Sequence, residues 1–321
     1  MLMMFLPDIA TLAVIAVISD YLLGEPPSEQ HVLAIFGRFA NRIEKILNTK
    51  RNIKWISRIL GVVALILVIV PPVLFVFVLI TILPPPFSAI IHSTLLLFSL
   101  GAKSLTDHVY PILTGLLRGD LCSARALTAR IVSRDIENAD EHEIASATIE
   151  STLENGNDAI FGSLFWFIVG GGPCALIFRL VNTLDAMWGY KTPHFLHFGY
   201  AAARIDDVMN WLPSRLTAIS YGLLGDTTTS WRCWSMQAHH WDSTNAGIVM
   251  SAGAGSLNIQ IGGPAIYNGV IYQNRLVLGA GEKATPKHID IAMRLVMRTL
   301  VLWIALLVLC GPIRLVIEYI I

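Results

Sequence analysis

Residues Arg134 to Asp158 read R-D-I-E-N-A-D-E-H-E-I-A-S-A-T-I-E-S-T-L-E-N-G-N-D and hold eight of the chain's 23 acidic side chains against one cation, Arg134. The acids are Asp135, Glu137, Asp140, Glu141, Glu143, Glu150, Glu154 and Asp158. From Glu143 onward the pattern suits a helix, and Glu150, Glu154 and Asp158 recur every fourth residue, which stacks three carboxylates on one helix face. Like charges at that spacing repel, and a cation over the stripe would relieve them. A hard, oxygen-liganded ion such as Mg2+, arriving with phosphate groups, has suitable chemistry. A solvated acidic face is the plainer reading of the same pattern.

Other polar clusters follow. Asn182 and Asp185 lie in V-N-T-L-D-A-M-W-G-Y, Arg204, Asp206 and Asp207 in A-A-R-I-D-D-V-M-N, and Arg215 in P-S-R-L-T-A. Asn245 lies in S-T-N-A-G, and Gly262 and Gly263 open G-G-P-A-I-Y-N-G. Adjacent Asp206 and Asp207 point about 100° apart on a helix, so at most one joins a given stripe. Arginines beside apolar segments suit bidentate capture of phosphate or carboxylate, although a helix cap or a structural ion pair explains any one of these clusters equally well. No GxxxxGK[ST] motif occurs, and neither Gly170 to Gly172 nor Gly253-Ala-Gly255 fits a dinucleotide fingerprint. The pairs His194/His197 and His239/His240 lack a third ligand at metal-binding spacing.

The elements that must position these residues belong to a membrane protein. Hydrophobic residues make up 54% of the 321 and charged residues 14%, against about 25% charged in an ordinary soluble domain; mean hydropathy is +0.61. Formal net charge is zero, with 23 Lys+Arg and 23 Asp+Glu, and nothing favours nucleic acid. Cys122, Cys174, Cys233 and Cys310 are far apart and form neither a disulfide framework nor a zinc site. Residues 1–37 carry no Lys or Arg, whereas Arg38, Arg42, Lys45, Lys50, Arg51, Lys54 and Arg58 crowd the next segment against Glu44 alone. The positive-inside rule puts that segment in the cytoplasm. Ile59 to Ala102 is free of formal charge and is divided at Pro84 to Pro86, which predicts two spans.

The fold expected is an all-α, polytopic helical membrane protein with a cytoplasmic helical and loop region and broken or re-entrant segments. Residues 1–105 would hold three spans, and 299–321 the last. Residues 106–298 would form a cytoplasm-facing catalytic region, with half-inserted segments near 161–184 and 208–225. The breaks are Gly170 to Gly172 with Pro173, and Asn210, Pro213 and Arg215; irregular backbone survives at membrane depth where it lines a cavity.

In order and wording these motifs resemble the cobalamin-biosynthesis CobD/CbiB family, the adenosylcobinamide-phosphate synthases. The likeness runs from D-Y-L-L-G-E-P-P-S-E-Q-H (Asp20 to His31) through R-D (Arg134, Asp135) and E-S-T-L-E-N-G-N-D (Glu150 to Asp158). It continues through N-T-L-D-A-M-W-G-Y, A-R-I-D-D-V-M-N-W-L-P-S-R-L-T-A and G-G-P-A-I-Y-N-G. Ser243-Thr244-Asn245 stands where the family often has S-P-N. The resemblance implies an inner-membrane ligase with its active site facing the cytoplasm. It would join adenosylcobyric acid to (R)-1-aminopropan-2-ol O-phosphate, or the free amino alcohol, in an ATP-driven amide bond, with ATP as substrate and Mg2+ as cofactor.

On that reading Glu150, Glu154 and Asp158, with Asp206 or Asp207, hold Mg2+. Arg134, Arg204 and Arg215 hold phosphates, and Asn245, Gly262 and Gly263 join them at the nucleotide. Asp135 or Asp185 orients the amine, with Glu154 and Asn155 in the same catalytic group. Other membrane enzymes of late cobalamin assembly are expected partners, along with the lipid bilayer. A related family, the AmpE proteins linked to beta-lactamase induction, is similar in L-F-W-F-I-V-G-G and P-S-R-L-T-A-I-S-Y and would imply a regulatory sensor. Broken helices also suit a transporter, although inverted repeats are not visible.

Overall fold

The computed structural model of the chain describes residues 9–24, 32–49, 53–267 and 269–320, with side chains as far as Cys310. Lys50 and Arg51 of the basic segment, and residues 25–31 of the first family-like stretch, lie outside the described residues. The helices are α1 (Ile9–Leu23), α2 (Val32–Leu47), α3 (Lys54–Ile82), α4 (Pro85–Ser99), α5 (Ala102–Leu117), α6 (Leu121–Thr128), α7 (Glu141–Gly156), α8 (Gly162–Trp188), α9 (Tyr200–Leu224), α10 (Thr227–Gln237), α11 (Thr244–Ser256) and α12 (Pro286–Ile320). Among the described residues, four helical runs are long and apolar enough to cross a membrane: Lys54–Ile82, Pro85–Leu117, Glu141–Trp188 and Pro286–Cys310. The chain is thus an all-α, multi-pass membrane protein. The first expected span is a helix of 15 residues, Ile9–Leu23, shorter than the roughly 20 needed to cross upright. The helix that carries Arg204, Asp206, Asp207 and Arg215, α9, is not among the four.

Two compact units, both discontinuous in sequence, make up the chain. The first comprises Met1–Gly101, Gly162–Asn210 and Leu307–Ile321. Its core brings Ala40 of α2 and Ala64, Leu65, Val68 and Ile69 of α3 against Leu176, Leu180, Val181, Leu184 and Trp188 of α8. A small residue lets the segment before α9 lie against α3: a Cβ on Gly61 would fall 2.0 Å from the Phe198 carbonyl oxygen. The opposite side of α3 exposes Ile59, Val62, Ile66, Val70 and Phe75, an apolar surface suited to acyl chains.

The break expected near residues 170–173 is present. Gly170 (φ −145°, ψ 21°) and Gly171 (φ 70°, ψ −160°) leave the helical region inside α8. That frees backbone groups that lipid could not satisfy. His92 of α4 answers one of them, its Nδ1 accepting the Gly172 N–H at 2.9 Å. A side chain on Gly171 would combine positive φ with a contact of 2.5 Å to that same ring nitrogen.

The second unit comprises Ala102–Phe161 and Trp211–Leu306. Its centre is two buried helices, α7 and α11, the latter buried from Asn245 through Ser256. Gly253 lets α11 approach α7, because a Cβ there would meet Leu153 at 2.8 Å, and Gly255 lets it approach α10, where a Cβ would meet the Thr229 carbonyl at 2.9 Å. Five short strands among the described residues complete the unit, a feature that the expectation of a helical and loop region over 106–298 did not include. Strand β1 (Ile259–Gly262) pairs antiparallel with β4 (Val277–Gly279) and parallel with β5 (Glu282–Lys283), and β2 (Ala265–Tyr267) forms a hairpin with β3 (Val270–Tyr272).

Candidate functional site

The acidic stretch resolves into separate tasks. Asp140 is the N-cap of α7: its Oδ1 accepts the Glu143 N–H at 2.8 Å, and Glu143 Oε2 accepts the Asp140 N–H at 2.8 Å. This reciprocal box stabilises a helix start by about 1 kcal/mol, and Glu141 and Glu143 in the first turn complement the helix dipole. Glu150, three turns from the cap, faces inward and is 5% exposed. One residue past the end of α7, Asn157–Phe161 form a π-helical turn. Its wider turn shifts the register, so Asp158 leaves the straight stripe that constant four-residue spacing predicts. Such turns interrupt α-helices mostly at functional positions.

Glu150 is the centre of the second unit's polar cluster. Its Oε1 accepts from Arg134 Nη2 at 2.8 Å, Ser146 Oγ at 3.0 Å and the Gly262 N–H at 3.0 Å. Its Oε2 accepts from Arg275 Nη2. The side chains of Arg134 and Arg275 are 9% and 14% exposed, so two guanidiniums share one buried carboxylate and the group carries a net positive charge. Arg275 also donates to the Gly263 carbonyl at 3.3 Å and lies over the Trp241 ring, 4.4 Å from its centroid. Burial alone would lower the Arg275 pKa, but the Glu150 charge and a hydrogen bond with Tyr267 outweigh it and hold the group above its ordinary value.

Gly262 and Gly263, expected at the nucleotide, form the turn that closes this cluster. Both have positive φ, 83° and 84°, and a Cβ on Gly262 would sit 2.5 Å from the Leu276 carbonyl. The Gly262 N–H points at Ser146 and Glu150 because the backbone is reversed there. Next to Arg134, Asp135 fastens the β2–β3 hairpin: its Oδ2 accepts the Gly269 N–H at 2.7 Å, and its own N–H donates to the Ile266 carbonyl at 2.8 Å. The R-D pair therefore ties α7 and the hairpin from one loop.

The other expected residues of this unit are placed as follows. Glu154 and Asp158 are half-buried. Asn155 Nδ2 donates to the Ser151 carbonyl at 2.9 Å. Asn245 Oδ1 accepts from Ser214 Oγ at 3.2 Å and Arg215 Nη1 at 3.5 Å, and Arg215 stacks over Trp211 at 4.3 Å. Ser243 caps α11 through the Ala246 N–H at 3.3 Å, which puts Thr244 at the first helical position, where proline is otherwise favoured. The departure from S-P-N thus leaves the helix start in place. A cleft of about 470 Å³ lined by Asp107, Tyr110, Arg118 and Asp120 contains none of the expected residues.

Asp185, Arg204, Asp206 and Asp207 belong to the first unit. Asp206 is buried and accepts from Asn182 Nδ2 at 3.3 Å and Asn210 Nδ2 at 3.1 Å. Burial pushes its pKa up to about 6; the two amide hydrogen bonds oppose the rise and the Asp207 charge adds to it. Arg204 and Asp207 form an exposed pair at 3.4 Å, and Arg204 and Arg58 both lie over Tyr200, 5.4 and 4.8 Å from its centroid. Gly189 lets the chain pass Asp185, where a Cβ would meet Asp185 Oδ1 at 2.1 Å.

The proposed Mg2+ set meets a definite obstacle at Glu150. Both of its oxygens already accept charged donors, and that carboxylate does not fit the role of a metal ligand. Among the described residues, no group of three or more His, Cys, Asp or Glu is arranged to hold an ion. Arg275 and Trp241 are the members of the cluster that motif reading missed. Arg275 belongs to no motif singled out in the sequence.

The model of the CobD/Cbib protein family matches residues 13–296. The chain belongs to this family. Its similarity to "Cobalamin biosynthesis protein CobD" of Chromobacterium violaceum is 46% identity over 295 residues, 91% of this chain and 93% of that protein. The protein of the same name from Stutzerimonas stutzeri is 46% identical over 296 residues, covering 92% and 96%. That from Geobacter metallireducens is 35% identical over 262 residues, covering 79% and 81%. No solved structure matches the chain. The membership covers the span that holds Arg134, Glu150, Gly262 and Arg275, so the buried cluster lies inside the part of the chain that defines the family.

Proposed function

We propose that this chain acts in cobalamin biosynthesis as an ATP-dependent ligase. It would join a corrin carboxylate of adenosylcobyric acid to the amine of (R)-1-aminopropan-2-ol O-phosphate, or of the free amino alcohol. The product is adenosylcobinamide phosphate or its dephosphorylated counterpart. Two things support the reading: the names carried by relatives that match nearly the whole chain, and the buried Arg134–Glu150–Arg275 cluster, which is the observation that carries it. A carboxylate and a nucleotide both bring negative charge, and a low-dielectric site with net positive charge answers it.

The chemistry balances through an acyl phosphate. A carboxylate oxygen takes the γ-phosphoryl group and releases ADP; the amine nitrogen then forms the C–N bond while phosphate leaves with that oxygen and the amine loses a proton. Arg134 and Arg275 each keep N–H donors beyond those given to Glu150, and these would face the anionic substrate. Glu150 holds the two guanidiniums in position. Asp135 orients the amine in this scheme, with Asn155 beside Glu154, and Arg215 and Asn245 serve the phosphates. Mg2+ accompanying ATP would be held chiefly by the triphosphate and would need only one or two carboxylates, for which Glu154 and Asp158 of the second unit stand and Glu150 does not. The enzyme would sit in the bacterial inner membrane with this site open to the cytoplasm.

The test is growth of a cobalamin auxotroph that uses cobinamide but not cobyric acid. Expression of this chain should restore growth on cobyric acid, and Arg134→Gln should abolish the rescue at equal membrane abundance. A regulator or a transporter would leave that strain dependent on cobinamide, which would overturn the assignment.

A further inference from the structure

Helix α2 carries three stripes. Leu33, Phe36, Ile43 and Leu47 pack on the core of the first unit around buried Ala40. A second stripe, Val32, Ile35, Phe39 and Ile46, spans about 60° of the helix and is exposed, Ile46 by 69%. Alongside it Arg38, Arg42 and Lys45, all exposed, occupy the next 60° or so. The one acid of the helix points the other way: Glu44 is 6% exposed and accepts from Asn48 Nδ2 at 2.8 Å, with His194 Nε2 at 2.7 Å. The outward surface is therefore apolar on one side and purely basic on the other.

We propose that this face docks on anionic phospholipid, with the apolar stripe among the acyl chains and the three cations in the phosphate layer. Three observations select lipid as the occupant. The helix ends six residues before α3, the most apolar of the candidate spans, so its C-terminal end is tethered close to the membrane edge. The first two turns of α3 expose Lys54, Trp55 and Arg58, residue types that mark the interface. Apolar and basic stripes side by side are the pattern of an interfacial helix. A second copy of the chain would oppose this face with the same basic stripe and repel it.

In the test, the full-length protein in mild detergent is titrated with phosphatidylglycerol or phosphatidylcholine while its thermal midpoint is followed, with inorganic phosphate as the free-anion control. Phosphatidylglycerol should raise the midpoint and phosphate should not. Each cation near an anionic surface is worth about fivefold in affinity, so Arg38→Gln/Arg42→Gln/Lys45→Gln should raise the half-saturating phosphatidylglycerol concentration by about a hundredfold. An unchanged titration in the triple variant, or an equal response to phosphate, would overturn the proposal. Should the variant not fold, a photo-crosslinking p-benzoylphenylalanine at Phe39 in the otherwise unchanged chain decides. Cross-links to phospholipid are expected; cross-links only to protein, a second copy included, would refute it.

Discussion

Replacing Glu150 with glutamine removes one charge from a buried group of three. Arg134 and Arg275, 9% and 14% exposed, would then confront each other without a counter-ion, and the new amide would turn N–H groups toward at least one guanidinium. Breaking a buried ion pair by deleting one partner costs about 3–5 kcal/mol. At roughly 2–4 °C per kcal/mol for a unit of this size, Glu150→Gln should lower the thermal midpoint by about 10 °C. The assay is intrinsic fluorescence of the detergent-solubilised protein at one fixed scan rate, since unfolding of such proteins is commonly irreversible. Arg134→Met/Glu150→Met/Arg275→Met separates stability from function. An apolar triad of similar volume is often neutral or stabilising, so the triple variant should recover most of the midpoint while failing to rescue growth on cobyric acid. A loss below about 2 °C for Glu150→Gln would mean that water or another carboxylate already satisfies the arginines, and the argument for a desolvated cluster would fail.

Gly262→Ala forces a side chain onto positive φ and against the Leu276 carbonyl at 2.5 Å, and should cost at least about 1–2 kcal/mol and reduce ligation; thermal midpoint and growth rescue read both. In the first unit, His92→Leu deprives the Gly172 N–H of its acceptor, at about 1–3 kcal/mol, and a lower yield of monodisperse protein in detergent is the readout. Asp206 has its pKa raised to about 6 by burial, so its protonated form favours the fold. Its contribution is complete below the ordinary carboxylate range and is lost as pH rises through about 6. Asp206→Asn lacks that loss: relative to wild type it should gain up to about 3 kcal/mol between pH ~4 and pH ~7, measured as the difference in thermal midpoint across that range.

What the sequence made legible follows from local signals. The charge-free run after Arg58, the triple proline and the glycines at 170–172 each act through neighbouring residues, and the structure places spans and a helix break there. The acidic stretch was recognisable as special, but its division of labour was not. Asp140 and Glu143 belong to a cap, Asp135 to a hairpin more than a hundred residues away in sequence, and Glu150 to arginines on both sides of it in the chain. Only tertiary contact distinguishes these roles. The π turn at Asn157–Phe161 leaves no signature in spacing, which is why a constant period carried the stripe one residue too far. Alternation in Ile259-Gln260-Ile261, with both isoleucines buried, is a readable strand signal inside a region expected to be helical and loop. Arg275 had no motif of its own and was found only through the carboxylate it meets.

One physical problem recurs in both units. A glycine with positive φ takes the backbone out of its regular course, and an N–H is left in a place where water is scarce. In the first unit the Gly172 N–H goes to His92, and in the second the Gly262 N–H goes to Ser146 and Glu150. Each solution uses a buried side chain carried by a helix, so the irregular backbone also fixes that side chain's direction. At Gly262 the consequence reaches the chemistry. The carboxylate that accepts the N–H is the one that gathers Arg134 and Arg275, and the Gly263 carbonyl accepts from Arg275 in turn. The glycine pair in G-G-P-A-I-Y-N-G therefore helps to set where the two positive charges stand.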